Sequence, residues 1–510
     1  MSDMPLLANM LTRPSKAFWS AEKIFYTFLV LHVLVWAISP LLIRHTVSGD
    51  AIESFVWGQY LDWGYDRNPY LVGWITRLSL WLDINNHAIG YYFMQQLMIG
   101  LGFWSLWKLG NLLFSPYRAL VAVLMYTGCL YFSVYVQTNN DNFPLVGLWG
   151  VAAYVFYLAC KKQAIKYWLI TGLMLGLAMM VKYSTIIFMS GLFLYLLIEK
   201  EARQSFRQPG VYLGAVIFLL PVLPNLVWLF QHDFVAFHYV SDRGGISGDS
   251  YVVQKLSLSY LFSFMYQTAL NFLGCLVLFA LTAPRLTSKS EREKATTYYL
   301  WCIGLFPMML VLSVALVLSW QLYWEWGVPF IIFWGLVLVH YFTPKTHPAA
   351  ILRFVVGVLL AMFASLLGNI LISCYLNVGS GTGDYPARQI AQYVNEVWQT
   401  HYDQPLRFVA GSRYTGGYAA FYAADKPKVF VDWNATSSPG VSEESVRKSG
   451  AIFVEDSVYG AKDIRQFSPE LMQKYPHLIL LPVKRFSYHR NEKSGETVDV
   501  LVGILPPANP

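Results

Sequence analysis

About eleven runs of apolar residues, each near the length that crosses a bilayer, dictate what this chain can fold into. They fall near 24–43, 89–110, 117–136, 142–160, 164–180, 183–198, 211–230, 260–281, 297–318, 324–341 and 350–373. A helix needs about 20 apolar residues to cross ~30 Å of hydrocarbon. None of the runs carries the charged stripe of a helix on a soluble surface, so each belongs in lipid or inside a bundle. Composition agrees, since 56% of the 510 residues are hydrophobic and 13% charged; a soluble domain carries about twice that charge. The expected fold is mainly α: a polytopic helical membrane domain over residues 1–375, with interfacial helices.

Lysine and arginine sort the connecting loops into two sets, because positive charge in short loops resists translocation. One set includes Arg13, Lys16, Lys108, Lys161, Arg203, Arg285 and Arg353; the other holds only Arg44, Arg67, Arg77, Lys182, Arg243 and Lys255. The first set reads as cytoplasmic, with the N-terminus inside and the C-terminal tail outside. The net charge of +7 is spread over these loops and forms no stripe of the kind that binds nucleic acid. A basic N-terminus precedes the first run without a small-residue cleavage site, so this helix is expected to stay in place. The five cysteines, at 129, 160, 275, 302 and 374, make no C-x-x-C pair, which points to small buried hydrophobes and away from disulfides or metal.

From about residue 376 the chain changes character. Tyr385–Trp398 is amphipathic, "LRFVAG", "PKVFVD", "AIFVED", "HLILLPV" and "VDVLVGIL" read as strands, and "SEESVRKSG" carries a Ser442 cap and a Gly450 stop. Residues 376–510 therefore read as a soluble α/β domain. Its entrance, "VGSGTGD", follows a membrane helix rather than a strand, so a linker fits better than a phosphate loop.

The segment "HTVSGDAIESFVWGQYLDWGYDRNPYLVGW" after the first run concentrates acids among aromatics. Asp50 and Glu53, three residues apart, lie on one face of a short interfacial helix. Asp62 and Asp66 read as solvated interface charges. Asp141, in "QTNNDNFPLVGLW", reaches the same membrane face from another hairpin, and two such acids suggest a cleft. Lys182 interrupts an apolar stretch, where an ammonium costs about 2.5–3.5 kcal/mol at the centre of a span; phosphate contact and interfacial anchoring with Tyr183 both account for it. Arg67 suits two parallel bonds to a phosphate, with snorkelling toward head groups as the alternative. In the long loop after residue 230, Arg243 suits a phosphate, while His232, Asp233 and His238 lack the clustering of metal ligands. Glu325 in "WQLYWEWGVPF" either lines a cavity or caps a helix start.

The order of these segments, Gly49-Asp50-x-x-Glu53, "GYDRNPYLVGW", "TNNDNFPL", "GLMLGLAMMVKYS" and "LPNLVWLFQHDFVAF", resembles the GT-C type membrane glycosyltransferases that use polyprenyl-phosphate sugars. The likeness is to the bacterial branch related to protein O-mannosyltransferases, the lipid A aminoarabinose transferase and the lipopolysaccharide-core galacturonic-acid transferases. It implies catalytic acids at Asp50 and Asp141 with Glu53 beside them, donor-phosphate binding by Arg67, Lys182 and Arg243, and a substrate cavity lined by Tyr65, Asn68, Tyr183 and Glu325. The chain departs from the relatives' "GYxDHPPL" or "EKPPL" at Asn68 and Tyr70, leaving Arg67 as the substitute cation. The resemblance implies a polyprenyl (undecaprenyl) phosphate-linked sugar as donor, lipid A or lipopolysaccharide as acceptor, inverting transfer, and neither metal nor other cofactor. A protein O-mannosyltransferase and a lipid-linked-sugar flippase are the alternatives.

Overall fold

Helices occupy most of the chain before residue 376 in the computed structural model, which describes residues 20–82, 88–138, 141–243, 258–318, 320–375, 383–460, 464–489 and 496–508. In order they are α1 (Ala21–Ile43), α2 (Gly49–Gly58), α3 (Leu71–Ser79), α4 (Ile89–Leu113), α5 (Pro116–Leu124), α6 (Phe143–Lys162) and α7 (Ile165–Val181). There follow α8 (Thr185–Ile198), α9 (Pro209–Gln231), α10 (Val235–Arg243), α11 (Leu258–Ala280), α12 (Lys294–Leu318, with a π turn inside), α13 (Trp334–Tyr341) and α14 (Pro348–Tyr375). The chain is a multi-pass membrane protein. Apolar residues such as Val216, Leu220, Val227 and Phe230 on α9, and Leu352, Leu360 and Phe363 on α14, stand exposed, as suits faces turned to lipid. Helix α6 runs through the middle and buries Trp149 against Phe188.

Among the described residues six helices are long and apolar enough to cross a membrane, seven if one bent pair counts as a span. Four of the eleven expected runs fall outside this measure because they are short or broken. Helices α7 and α8 have only 17 and 14 residues, and the runs at 117–136 and 324–341 are not continuous helices. After α5 the chain passes through 3₁₀ turns at Met125–Gly128, Leu130–Phe132 and Tyr135–Thr138, and a 3₁₀ stretch, Trp324–Phe330, meets α13 at 58°. The two irregular segments satisfy each other: the Tyr126 hydroxyl is 2.7 and 2.6 Å from the carbonyls of Ile331 and Ile332 and accepts the Gly335 N–H at 2.9 Å. Non-helical backbone at membrane depth is tolerated only where protein covers it. Gly128 makes this possible, because a Cβ there would lie 2.3 Å from the Gly274 carbonyl carbon on α11. Gly128→Leu is expected to lower the yield of folded protein several-fold in detergent extracts, whereas Leu112→Ala, on an exposed face, leaves it unchanged.

Beyond α14, helix α15 (Ala387–His401) leads into a six-stranded sheet. Strands β1 (Phe408–Gly411), β2 (Lys428–Val431) and β3 (Ala451–Asp456) are parallel, with β1 central. Strand β6 (Thr497–Leu505) pairs antiparallel with β3 on one side and with β4 (Ile479–Leu480) and β5 (Lys484–Ser487) on the other. Helices α16 (Arg413–Tyr422), α17 (Glu443–Ser449) and α18 (Pro469–Lys474) cover it. Ser442 caps α17 by accepting the Ser445 N–H, and Gly450 stops it at φ +75°. The stretch Val378–Asp384 lies almost wholly outside the described residues. This region docks on α2: Gln59 mimics a strand, accepting the Val429 N–H at 2.9 Å and donating to the Pro427 carbonyl at 3.1 Å.

Candidate active site

Segments far apart in sequence converge on a cavity of about 190 Å³ at one end of the bundle. Helix α2 starts where Ser48 accepts the Ala51 N–H at 3.2 Å, and its first turns aim Asp50, Glu53 and Trp57 into the cavity. A tight turn closed by the Tyr65 N–H on the Asn68 carbonyl, 3.0 Å, presents Asp66, Arg67 and Asn68. The start of α6 supplies Asp141 and Asn142, the break between α7 and α8 supplies Lys182, the 3₁₀ stretch supplies Glu325 and Trp326, α10 supplies Tyr239, and α16 supplies Tyr414.

Two charge networks hold these groups. In the first, Lys182 Nζ is 3.1 Å from both oxygens of Asp141 and 3.0 Å from Asn142 Oδ1, while Asn68 Nδ2 donates to Asp141 Oδ2 at 2.9 Å. Lys182 reaches the cavity because α7 ends at Val181 and Lys182 is extended, φ −158°. In the second, Arg67 bonds Glu53 at 2.8 Å and packs its guanidinium 4.8 Å from the Tyr239 ring centroid. Arg413, only 4% exposed, pairs with Asp66 and lies 3.6 Å from Glu53. Breaking such pairs leaves buried charges unmatched, which is why each cation is fixed.

Asp50 differs from its neighbours. Among the described residues its carboxylate has no hydrogen bond and no ion pair. It stands exposed on the open side of the cavity at the start of α2, and the protein packed around it first, then Asp141, Glu53 and Glu325, push its pKa up to about 7 against the opposing pull of Lys182. Glu53 is also raised, burial outweighing Arg413 and Arg67. A carboxyl whose folded pKa is raised adds stability that is full below its unfolded value, 3.8, and is lost as pH rises to about 7. Asp50→Asn is therefore expected to raise the thermal unfolding midpoint above pH 7, with the gain shrinking to nothing near pH 4 in a differential scanning fluorimetry series.

Of the residues singled out in the sequence, Asp50, Glu53, Arg67, Asn68, Asp141, Lys182 and Glu325 meet at this cavity. Tyr65 and Tyr183 stand behind its wall: Tyr65 stacks on Trp57 and donates to the Tyr60 carbonyl at 2.7 Å, and Tyr183 donates to Asn225 at 2.9 Å. The expectation that they line it is corrected to support of the wall. Arg243 ends α10, and its side chain lies outside the described residues. His232 stacks on Trp228 and bonds its carbonyl. The Asp62 carboxylate accepts the adjacent Trp63 N–H and its backbone carbonyl the Trp74 indole N–H, but Asp66 is no solvated charge, for Trp57 and Arg413 both donate to it. Sequence reasoning missed Arg413 and Tyr414. The one signal was a cation opening a helix, where it opposes the macrodipole.

A family model described as dolichyl-phosphate-mannose-protein mannosyltransferase matches residues 67–228. The chain is 24% identical over 201 residues to the lipid A galacturonosyltransferase RgtD of Rhizobium johnstonii, a match that spans 38% of this chain and 40% of that protein. It is 22% identical over 457 residues to the lipopolysaccharide core galacturonosyltransferase RgtA of the same organism, covering 85% of this chain and 86% of that one. The crystal structure of ArnT from Cupriavidus metallidurans bound to undecaprenyl phosphate superposes with a TM-score of 0.53 at 15% identity, over 96% of this chain and 99% of the other. In fold, in the family model it matches and in these two relatives, the chain is similar to the GT-C type membrane glycosyltransferases.

Proposed function

We propose that the chain moves a sugar from a polyprenyl-phosphate donor to a lipid A or lipopolysaccharide-core acceptor on the outer face of the inner membrane. One observation carries this reading: an unpaired carboxyl, Asp50, shares a cavity with Arg67 and Lys182, whose present partners are carboxylates that an incoming phosphate can replace. The names of the relatives and the lipid phosphate bound to ArnT support the choice of donor and acceptor. The prenyl chain enters from lipid between the helices. The acceptor oxygen attacks C1 as the bond from C1 to the phosphate oxygen breaks and its electron pair leaves with the phosphate. Arg67 and Lys182 stabilise the charge that grows there, an electrostatic contribution of the kind that dominates many enzymes. Asp50 takes the proton of a hydroxyl acceptor, and its pKa of about 7 suits a general base at neutral pH. Where the acceptor is a phosphate, Asp50 only orients it. A single displacement inverts the anomeric centre.

The family model, named for protein mannosylation, favours a protein acceptor as the second reading. Purified protein in vesicles, given undecaprenyl-phosphate sugar and a membrane extract, should release undecaprenyl phosphate in proportion to acceptor; a flippase moves the donor without cleaving it. The membrane orientation is tested by reporter fusions. Those after residues 50, 141, 245 and 400 should report outside and those after 163, 205 and 290 inside. An inside signal at 141 with an outside one at 163 would separate Asp50 from Asp141 and contradict the reading.

A further inference from the structure

A second cavity, of about 530 Å³, opens beyond the carboxyl ends of β1, β2 and β3, lined by Ser412, Asp432, Trp433, Glu455, Tyr459 and Phe467 among others. Its volume lies within the ~300–1,000 Å³ usual for small-molecule sites. Its position also has a topological cause. The chain leaves β1 for β2 on one side and returns to β3 on the other, and such a reversal opens a crevice at the carboxyl ends of parallel strands where ligands bind in open α/β sheets.

Strand alternation gives two neighbouring acids opposite fates. Asp456 points to one face and is fully engaged, accepting from Tyr385, from Thr415 at 2.9 Å and from the backbone of Val458 and Tyr459. Glu455 points to the other, is 8% exposed, and has no hydrogen-bond or ion-pair partner among the described residues. Its carboxylate oxygens reach the open crevice, where a ligand can meet them. Asp432 and Glu470 add carboxylates, and Trp433, Tyr459 and Phe467 add aromatic faces. No lysine or arginine lines the crevice among the described residues. Carboxylates accept hydrogen bonds from hydroxyls, while the C–H faces of a pyranose ring pack on an aromatic ring. A phosphate would be repelled. The crevice adjoins the first cavity through consecutive residues: Ser412 lines this one, Arg413 lies buried between, and Tyr414 lines the other.

We propose that this crevice binds a neutral, phosphate-free saccharide, and that its occupant during transfer is the sugar portion of the acceptor. The second half of the statement rests on the transfer reading; the first does not. The test is saturation-transfer difference NMR and equilibrium dialysis on the full chain in nanodiscs, without donor. The probes are a dephosphorylated core oligosaccharide released from lipopolysaccharide and, separately, the phosphorylated glucosamine disaccharide of lipid A. The neutral oligosaccharide should bind, and Glu455→Gln and Trp433→Ala should each weaken it about ten-fold or more, the scale of one charge-assisted bond lost. Glu470→Gln, on an exposed helix end, serves as a milder variant should the other two fold poorly, with a two- to five-fold loss. Asp50→Asn should leave this binding unchanged. Binding undiminished in all three crevice variants, or binding of the phosphorylated disaccharide alone, would overturn the proposal. If saccharide binding follows this pattern while no transfer is detected, the transfer reading fails and the crevice stands.

Discussion

Asp50→Asn is expected to cut sugar transfer by about 10²–10⁴ if general-base chemistry is lost, while expression and membrane insertion stay at the parental level. The amide keeps the size and removes a cavity carboxylate that has no hydrogen-bond or ion-pair partner among the described residues. Its pH profile follows from the same geometry. In the parent, kcat/KM should rise with pH through about 7, where Asp50 releases its proton, and the residual activity of the variant should lose that limb. Asp62→Asn, whose half-buried side chain accepts the N–H of the adjacent Trp63 and lies outside the cavity, should change transfer less than two-fold. A loss in Asp62→Asn equal to that in Asp50→Asn would mean that any acid removed from this loop disturbs it, and the assignment would fall.

Arg413→Ala should have the largest effect on stability together with a loss of transfer. Its guanidinium joins Asp66 and Glu53 and lies 5.7 Å from the Trp57 ring centroid. Removing one partner of a buried ionic network costs about 3–5 kcal/mol, because the carboxylates left behind remain buried. The expected signs are a lower thermal midpoint, a protease-sensitive C-terminal region and transfer reduced with it. Arg413→Lys should recover part of the stability but less of the transfer, since an ammonium lacks the planar fork that meets two carboxylates at once. Parental melting and parental transfer in Arg413→Ala would show that the C-terminal region is not held to α2 through this residue.

Local signals in the sequence carried much of this arrangement. The spacing of Asp50 and Glu53 put both on the cavity face of α2, and the Ser442 and Gly450 signals bounded α17. What local patterns do not carry is pairing at long range. Asp66 reads as a surface charge until its partner, Arg413, arrives from 347 positions away. The run at 117–136 reads as a span because hydropathy does not record that its backbone closes on residues 324–335, through Tyr126 and Tyr131. Strand β5 escaped notice for a simpler reason: Lys484 and Arg485 are exposed, and only Phe486 of its four residues is buried. The cavity therefore follows from residue spacing on its α2 side and from tertiary contacts on its α16 side.

The most direct measurement is mass spectrometry of lipid A and core oligosaccharide from cells lacking the chain, complemented either with the parent or with Asp50→Asn. The parent should restore a species heavier by one sugar that is absent from the deletion and from the Asp50→Asn strain, with both proteins present at equal level in the membrane. Identical lipid A and core masses in all three strains, or full restoration by Asp50→Asn, would contradict transfer to lipopolysaccharide through this cavity.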